Sequence, residues 1–182
     1  MNKLLICILA ALTLCSCGGK EKTYPRATAY PRAEIYDSAY RLLPDFPIPF
    51  YINASAHEGE RTVPEWRDVR YPLYNATLHL SCVEPTSGHE EAEVQSRIER
   101  MVMNIGGAAV SEEEFYSADS LYRVLIFHEP GYTPTPVQFV ALGNGRLTTG
   151  VFAFDSPTVA ADSVAPIVES VVRDIRYTFL AK

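Results

Sequence analysis

The sequence has few cysteines, and most of them lie at its start. Cys7, Cys15 and Cys17 fall within the first 17 residues, and Cys82 stands alone in the remainder. A chain that is processed at Cys17 can therefore form no internal disulfide. Because a single cysteine in an apolar run is usually a small buried hydrophobe, we expect Cys82 to be structural rather than a reactive nucleophile.

The sequence also lacks the motifs of common catalytic and metal sites. Neither His57-Glu58 nor His128-Glu129 belongs to a His-x-x-x-His pattern or lies among cysteine pairs, which are the strong signals for zinc. A Gly-x-Ser-x-Gly nucleophile elbow is missing too. We therefore predict no metal, no cofactor and no enzymatic activity. His79 lies between two leucines of a predicted strand, and we expect it on the wetter face.

Positive charge is scarce as well. The chain has 16 Lys and Arg against 22 Asp and Glu, a formal net charge of −6 at pH 7. Nucleic-acid-binding domains usually carry a positive surplus, and so do patches that bind anionic lipid. The composition therefore excludes a nucleic-acid partner. It also indicates that any attachment to a membrane does not depend on a basic patch that binds anionic lipid.

The first 17 residues have the pattern of a lipoprotein export signal. Lys3 supplies the positive end, and residues 4–14 form an apolar run that is too short to span a bilayer. Leu14-Cys15-Ser16-Cys17 is similar to a bacterial lipobox, and Cys17 is the better acceptor because the small Ser16 precedes it. We predict a signal peptide at 1–16 and lipidation of Cys17, including palmitate-type acyl chains. The alternative is an ordinary secretory signal.

This prediction fixes an expected location. The acyl chains would hold the protein on a membrane of the cell envelope, facing the periplasm. The sequence leaves open whether that membrane is the inner or the outer one.

Residues 17–49 are predicted to form an extended arm. Five prolines interrupt this segment and exclude a continuous helix: Pro25, Pro31, Pro44, Pro47 and Pro49. The segment also contains more tyrosine than a solvated linker needs, and Tyr-Pro-Arg occurs twice, at 24–26 and 30–32. We expect Tyr30, Pro31 and Arg32 to contact a partner, because tyrosine and arginine often dominate interfaces. The alternative is a spacer whose tyrosines pack locally.

Residues 50–182 are predicted to form a single α+β domain. Strands are expected at 50–54, 73–83, 113–117, 121–127, 137–142 and 147–154. One helix should begin after a capping box at Ser87 to Glu90 and end at Gly106-Gly107, and a second should begin near 162–163. The order ββαββββα gives an antiparallel sheet packed against two amphipathic helices.

Several motifs in this order resemble the GldD family of gliding-motility lipoproteins. They are the lipobox, Tyr30-Pro31-Arg32 followed by Tyr40, Pro49-Phe50, the run Tyr71 to Ser81, Thr135-Pro136-Val137-Gln138-Phe139, and the run Asp162 to Ile167. The resemblance implies an envelope lipoprotein of Bacteroidota-type bacteria that is needed for gliding and linked to type IX secretion, with no established enzymatic activity. The first Tyr-Pro-Arg unit departs from the family pattern, which the second unit matches.

Two functions are compatible with these features. The first is a non-enzymatic accessory or scaffold subunit whose arm and sheet contact other envelope motility and secretion proteins. The second is a protein that binds or hydrolyses a small ligand or a cell-wall fragment, with a site near the loop 128–136. A concave pocket with converging polar groups would favour the second function.

Overall fold

The computed structural model describes residues 34–59, 63–106, 110–131, 133–156 and 161–181. Strands and helices alternate along these residues as an α+β fold. The strands are β1 (Tyr40–Leu42), β2 (Tyr51–Asn53), β3 (His57–Glu58), β4 (Trp66–Tyr71), β5 (Ala76–Val83), β6 (Ser111–Tyr116), β7 (Tyr122–His128), β8 (Val137–Gly143) and β9 (Arg146–Phe154). The helices are α1 (Glu90–Ile105) and α2 (Ala161–Leu180).

Seven of these strands form one antiparallel sheet in the order β3-β4-β5-β9-β8-β7-β6, and β1 pairs with β2 separately. The turn between β8 and β9 places Asn144 and Gly145 at positive φ, as the tight Gly-Asn-Gly connection predicts. The packing of the sheet leaves no space for a side chain at Gly150 of β9. A Cβ there would lie 2.1 Å from the ring of Phe139 on β8.

The two helices lie on opposite faces of the sheet. Val94, Met101 and Ile105 of α1 pack on one face against Leu125, Phe127, Val140 and Leu147. On the other face, α2 packs against the alternate strand residues, among them Val124, Ile126 and Phe139. Successive residues of a strand point to opposite faces. This arrangement explains why Val124 to Phe127 are all apolar.

Helix α1 ends as predicted but begins differently. Gly106 takes the left-handed conformation at φ 63° and closes the helix by donating its amide to Val102. At the other end no side chain caps His89, so the predicted Ser87 cap is wrong. The Glu93 carboxylate instead accepts the Thr86 amide at 2.9 Å, and this bond lowers the pKa of Glu93.

The predicted α+β class and element order are confirmed, with three additional short strands. Strand β4 was not predicted. Its inward-facing positions begin with the charged Arg67, so the sequence lacks the regular alternation of apolar and polar residues that indicates a strand. The strand predicted to start at residue 73 starts at Ala76, because residues 72–74 form a 3₁₀ turn that ends at Asn75 with φ 48°. Helix α2 starts at Ala161, so Pro166 lies in its second turn instead of its first.

Residues 34–49, which the sequence analysis grouped with the arm, pack on the folded body. Leu43, Phe46 and Ile48 are buried in the same core cluster as Phe50. Each fully buried apolar side chain of this size contributes about 1.5–3 kcal/mol to stability. The side chains of this segment therefore help to hold the α2 face of the sheet together.

Cys82 provides a first test of the core. Its side chain is fully buried, its Sγ accepts a hydrogen bond from Thr148 Oγ1 at 3.3 Å, and burial raises the pKa of the thiol. We predict that Cys82→Ala lowers the free energy of unfolding by about 1–2 kcal/mol, through a small cavity, and leaves the protein functional. Denaturant unfolding and complementation of a deletion strain are the measurements. Loss of complementation at unchanged stability would show that the thiol is a functional group.

Candidate functional site

A connected group of buried polar side chains lies where the first described residues meet α2. Ser170, Asp174 and Thr178 recur every four residues along α2 and are buried, and we call them the polar row. Side chains four apart share one face of a helix. The polar row therefore presents a line of hydrogen-bonding groups to the segment that precedes and includes β2.

The middle of the polar row binds Tyr40 of β1. The Tyr40 hydroxyl donates to Asp174 Oδ1 at 3.1 Å, and the Tyr40 ring stacks on Tyr177 with their centroids 3.7 Å apart. At the end of the row, Thr178 Oγ1 accepts the Tyr51 amide at 3.1 Å and donates to the Tyr51 carbonyl at 2.9 Å. Both β1 and β2 are thus fastened to α2.

The start of the polar row binds a group of tyrosines. We call Tyr36, Tyr40, Tyr71 and Tyr74 the tyrosine cluster. The Tyr74 hydroxyl donates to Ser170 Oγ at 2.9 Å and accepts the Tyr36 amide at 3.0 Å. The Tyr36 hydroxyl in turn accepts the Leu73 amide at 2.8 Å. These bonds join the first described segment, the 3₁₀ turn and α2.

Arg173 completes this group. One of its terminal nitrogens donates to the Tyr36 carbonyl at 3.2 Å and to Ser170 Oγ at 3.0 Å, and lies 3.5 Å from Asp174 Oδ1. Farther along the same segment, the Asn53 side chain donates to the Asp37 carbonyl at 2.6 Å. The main chain at residues 36 and 37 is therefore held from two sides.

The electrostatics of this group are set by burial. Asp174 is 3% exposed, and desolvation raises the pKa of its carboxyl from the usual 3.8 to about 6, although Tyr40 and Arg173 oppose the change. Burial also raises the pKa of Tyr40 and of Tyr74, and raises that of Tyr71 well above 10 with a further contribution from Asp174. The tyrosines are thus hydrogen-bonding phenols at neutral pH.

The sequence carried a signal for this site that our sequence analysis missed. Asp174 lies inside the apolar stripe of α2, between Val171, Val172 and Ile175. A carboxylate in a buried stripe needs a partner. Its partner Tyr40 belongs to one of the motifs that the family resemblance singled out, and Tyr74, in the run from Tyr71, binds the neighbouring Ser170 of the same row.

The residues predicted to be functional fall outside this group. Cys17, Tyr30, Pro31 and Arg32 lie outside the described residues. Near the loop 128–136, His128 Nε2 lies 3.2 Å from Glu113 Oε1, and Glu113 also accepts from Arg176. Thr133 Oγ1 donates to the Ile105 carbonyl at 3.0 Å. This last bond caps the carboxyl end of α1.

A second surface lies on the sheet face that carries α1. Helix α1 packs on β7, β8 and the start of β9, and the exposed side chains of β4 and β5 lie beyond it on the same face. We call this region the open face. It carries Trp66, which is 60% exposed, and an Asp68–His79 pair with 2.7 Å between Oδ1 and Nδ1. His79 is exposed there, as expected from the sequence. A groove of about 560 Å³ adjoins it beside His57, Glu58 and Arg70.

The described residues contain neither a cluster suited to a metal ion nor a helix suited to crossing a membrane. Within the described ranges, His, Cys, Asp and Glu do not form a group of three that could hold a metal ion. Neither α1 nor α2, the helices of these ranges, combines the length and hydrophobicity needed to cross a bilayer.

Comparison with known families identifies the group to which the chain belongs. A family model described as gliding motility lipoprotein GldD matches residues 20–179, which is most of the chain. The chain belongs to the GldD family of gliding-motility lipoproteins. Membership implies a protein anchored to a membrane of the cell envelope. A search of curated proteins gave no match.

The matched range contains every described strand and both helices, apart from Leu180 at the end of α2. It includes the tyrosine cluster, the polar row and the open face, and it extends to Tyr30, Pro31 and Arg32. The family resemblance stated from the motifs is therefore confirmed.

Protonation of Asp174 should be visible as a dependence of stability on pH. Because its pKa is raised on folding, the folded state binds more protons than the unfolded state between pH 4 and 6, so stability falls as pH rises through this range. The change from 3.8 to about 6 corresponds to a loss of about 3 kcal/mol. We predict that Asp174→Asn removes this part of the pH dependence.

The measurement is denaturant unfolding of both proteins from pH 4 to pH 7.5. Glu99→Gln, which removes an exposed carboxylate of α1, controls for the loss of one negative charge. Parallel pH profiles for the wild type and Asp174→Asn would contradict the raised pKa.

Proposed function

We propose that the protein is a non-enzymatic accessory or scaffold subunit of the gliding machinery and of its associated type IX secretion apparatus. Cys17 carries the lipid anchor after removal of residues 1–16, and the body faces the periplasm. Residues 17–33 form the arm between the anchor and the body, and Tyr30, Pro31 and Arg32 contact another envelope protein of the machinery. Family membership supports the link to gliding.

One observation carries the scaffold part of this proposal. The body holds the chain at Tyr36 and Tyr40 through main-chain and side-chain hydrogen bonds to α2 and to Tyr74. A scaffold subunit needs a body whose N-terminal segment keeps its position, because a loose segment would not present a partner in a defined orientation. The tyrosine cluster and the polar row hold residues 36 to 53 of the body in this way.

The length of the arm limits the distance that it can bridge. The 17 residues from Cys17 to Ala33 span at most about 60 Å when fully extended. Prolines at 25 and 31 reduce the conformational freedom of the free arm, and this lowers the entropy lost when the arm binds. The proposed contact therefore lies within this distance of the membrane that receives the acyl chains.

The anchor is tested by Cys17→Ser. We expect the variant to take up no labelled fatty acid and to leave the membrane fraction, with the unfolding of the body unchanged. Cys15→Ser is the matched control, because it alters the neighbouring cysteine and should retain both label and membrane association. Label on the Cys17→Ser variant would show that the acceptor is a different residue.

The arm is tested by replacing Tyr30 and Arg32 together with alanine. We expect the yield of cross-linked envelope partners to fall about tenfold or more, since interface tyrosines and arginines often each contribute 1–2 kcal/mol or more. The first repeat supplies a matched control, because Tyr24→Ala with Arg26→Ala removes the same chemistry six residues earlier. If both double variants capture partners as well as the wild type does, the arm is only a spacer. If the Tyr30 and Arg32 variant melts at a lower temperature than the wild type, these residues are part of the folded body.

A further inference from the structure

The open face is a mixed polar and apolar platform on the part of the sheet that lies beyond α1. It extends from Trp66 to Arg70 along β4, about 13 Å at the rise of a strand, and across β4, β5 and β9, about 10 Å. Between its exposed side chains lie Thr77, Thr149, Val151 and Ala153, of which the two threonines are buried, where the half beneath α1 has larger apolar residues. The open face is therefore a shallow surface that fits an extended ligand.

The polar groups of the open face are held in place by one another. Nδ1 of His79 donates to the carboxylate of Asp68 at 2.7 Å, since a carboxylate can only accept, and Nε2 remains for a further hydrogen bond. Ser81 and Thr149 share a hydrogen bond of 2.7 Å between their hydroxyls. Each of these side chains uses only part of its hydrogen-bonding capacity, so a ligand with many hydroxyl and amide groups can bind without rearranging them.

Trp66 provides an apolar surface beside these groups. It is the only tryptophan of the chain and is 60% exposed, at the point where β4 pairs with Ser81 of β5. The face of an indole is large, flat and electron-rich. It attracts the C–H groups that line one side of a sugar ring, because these are apolar and weakly positive.

The charges of the open face indicate an uncharged ligand. Asp68 and Arg70 are two residues apart on the same face and offset each other, and nearby Glu58 is paired with Arg41 at 2.7 Å. A site for nucleic acid or anionic lipid would show a surplus of positive charge. A polar surface with an exposed aromatic ring and balanced charge is complementary to a neutral glycan.

We infer that the open face binds the glycan strands of peptidoglycan through stacking on Trp66 and hydrogen bonds to Asp68, Arg70 and His79. The amino-sugar backbone of these strands is uncharged, extended and rich in hydroxyl and amide groups. The inference relies on the periplasmic orientation proposed above for the choice of glycan. Binding to the purified protein does not depend on that orientation, so the two proposals can fail separately.

The test uses the full chain purified in detergent and titrated with chitohexaose, a soluble chain of N-acetylglucosamine, which is one of the two amino sugars that alternate in these strands. Because Trp66 is the only tryptophan, its fluorescence reports on this site alone. We expect a saturable change of emission, and co-sedimentation of the protein with purified peptidoglycan sacculi. Both should persist at 0.5 M NaCl, because neutral ligands are insensitive to salt screening.

Variants locate the site. Calorimetry should show that Trp66→Ala weakens chitohexaose binding about tenfold or more, whereas Trp66→Tyr, which keeps a flat ring, retains most of the affinity. Met103→Ala is the matched control, because it removes a side chain of α1 that is 79% exposed and should leave binding unchanged. Melting temperatures confirm that each variant is folded.

Three outcomes would overturn the inference. They are a flat fluorescence titration without co-sedimentation, binding by Trp66→Ala that equals the wild type, and sedimentation with sacculi that 0.5 M NaCl abolishes. The last result would indicate an ionic contact with the charged stem peptides instead of the glycan.

Discussion

The hydrogen bonds between the polar row of α2 and the segment that contains β1 and β2 are the interaction on which the rest of the structure depends. An amphipathic helix on a sheet normally presents its polar side to water. Helix α2 instead covers the sheet with its apolar stripe and is itself covered, along Ser170, Asp174 and Thr178, by the residues that lead from Tyr36 to Asn53. The chain thereby closes over its last helix.

This closure has an energetic cost that the structure offsets locally. Burying the Asp174 carboxylate is unfavourable, as the rise of its pKa shows, but the Tyr40 hydroxyl and Arg173 compensate part of that cost. In return, the group fixes the position of the segment, since only one alignment brings Tyr36, Tyr40 and Tyr51 to their partners at once. The cost in stability is therefore linked to a defined position of residues 36 to 53.

The same arrangement separates the two surfaces that the protein can offer. Helix α2 and the N-terminal segment occupy one side of the sheet, and α1 occupies half of the other. The open face therefore lies opposite α2. A partner bound through the arm and a ligand bound on the open face would use different residues, so neither interaction requires the other.

Local patterns of the sequence determined the class of the fold. The period of Val94 to Ile105, the glycine stop at Gly106, the Gly-Asn-Gly turn and the apolar run at 124–127 each act over a few residues, and each predicted its element. The motifs likewise identified the family. Only the tertiary structure decided which residues form the candidate sites. The partners of Asp174 and Thr178 lie more than 120 residues away, and the open face exists because α1 covers half a sheet whose strand order no local pattern encodes.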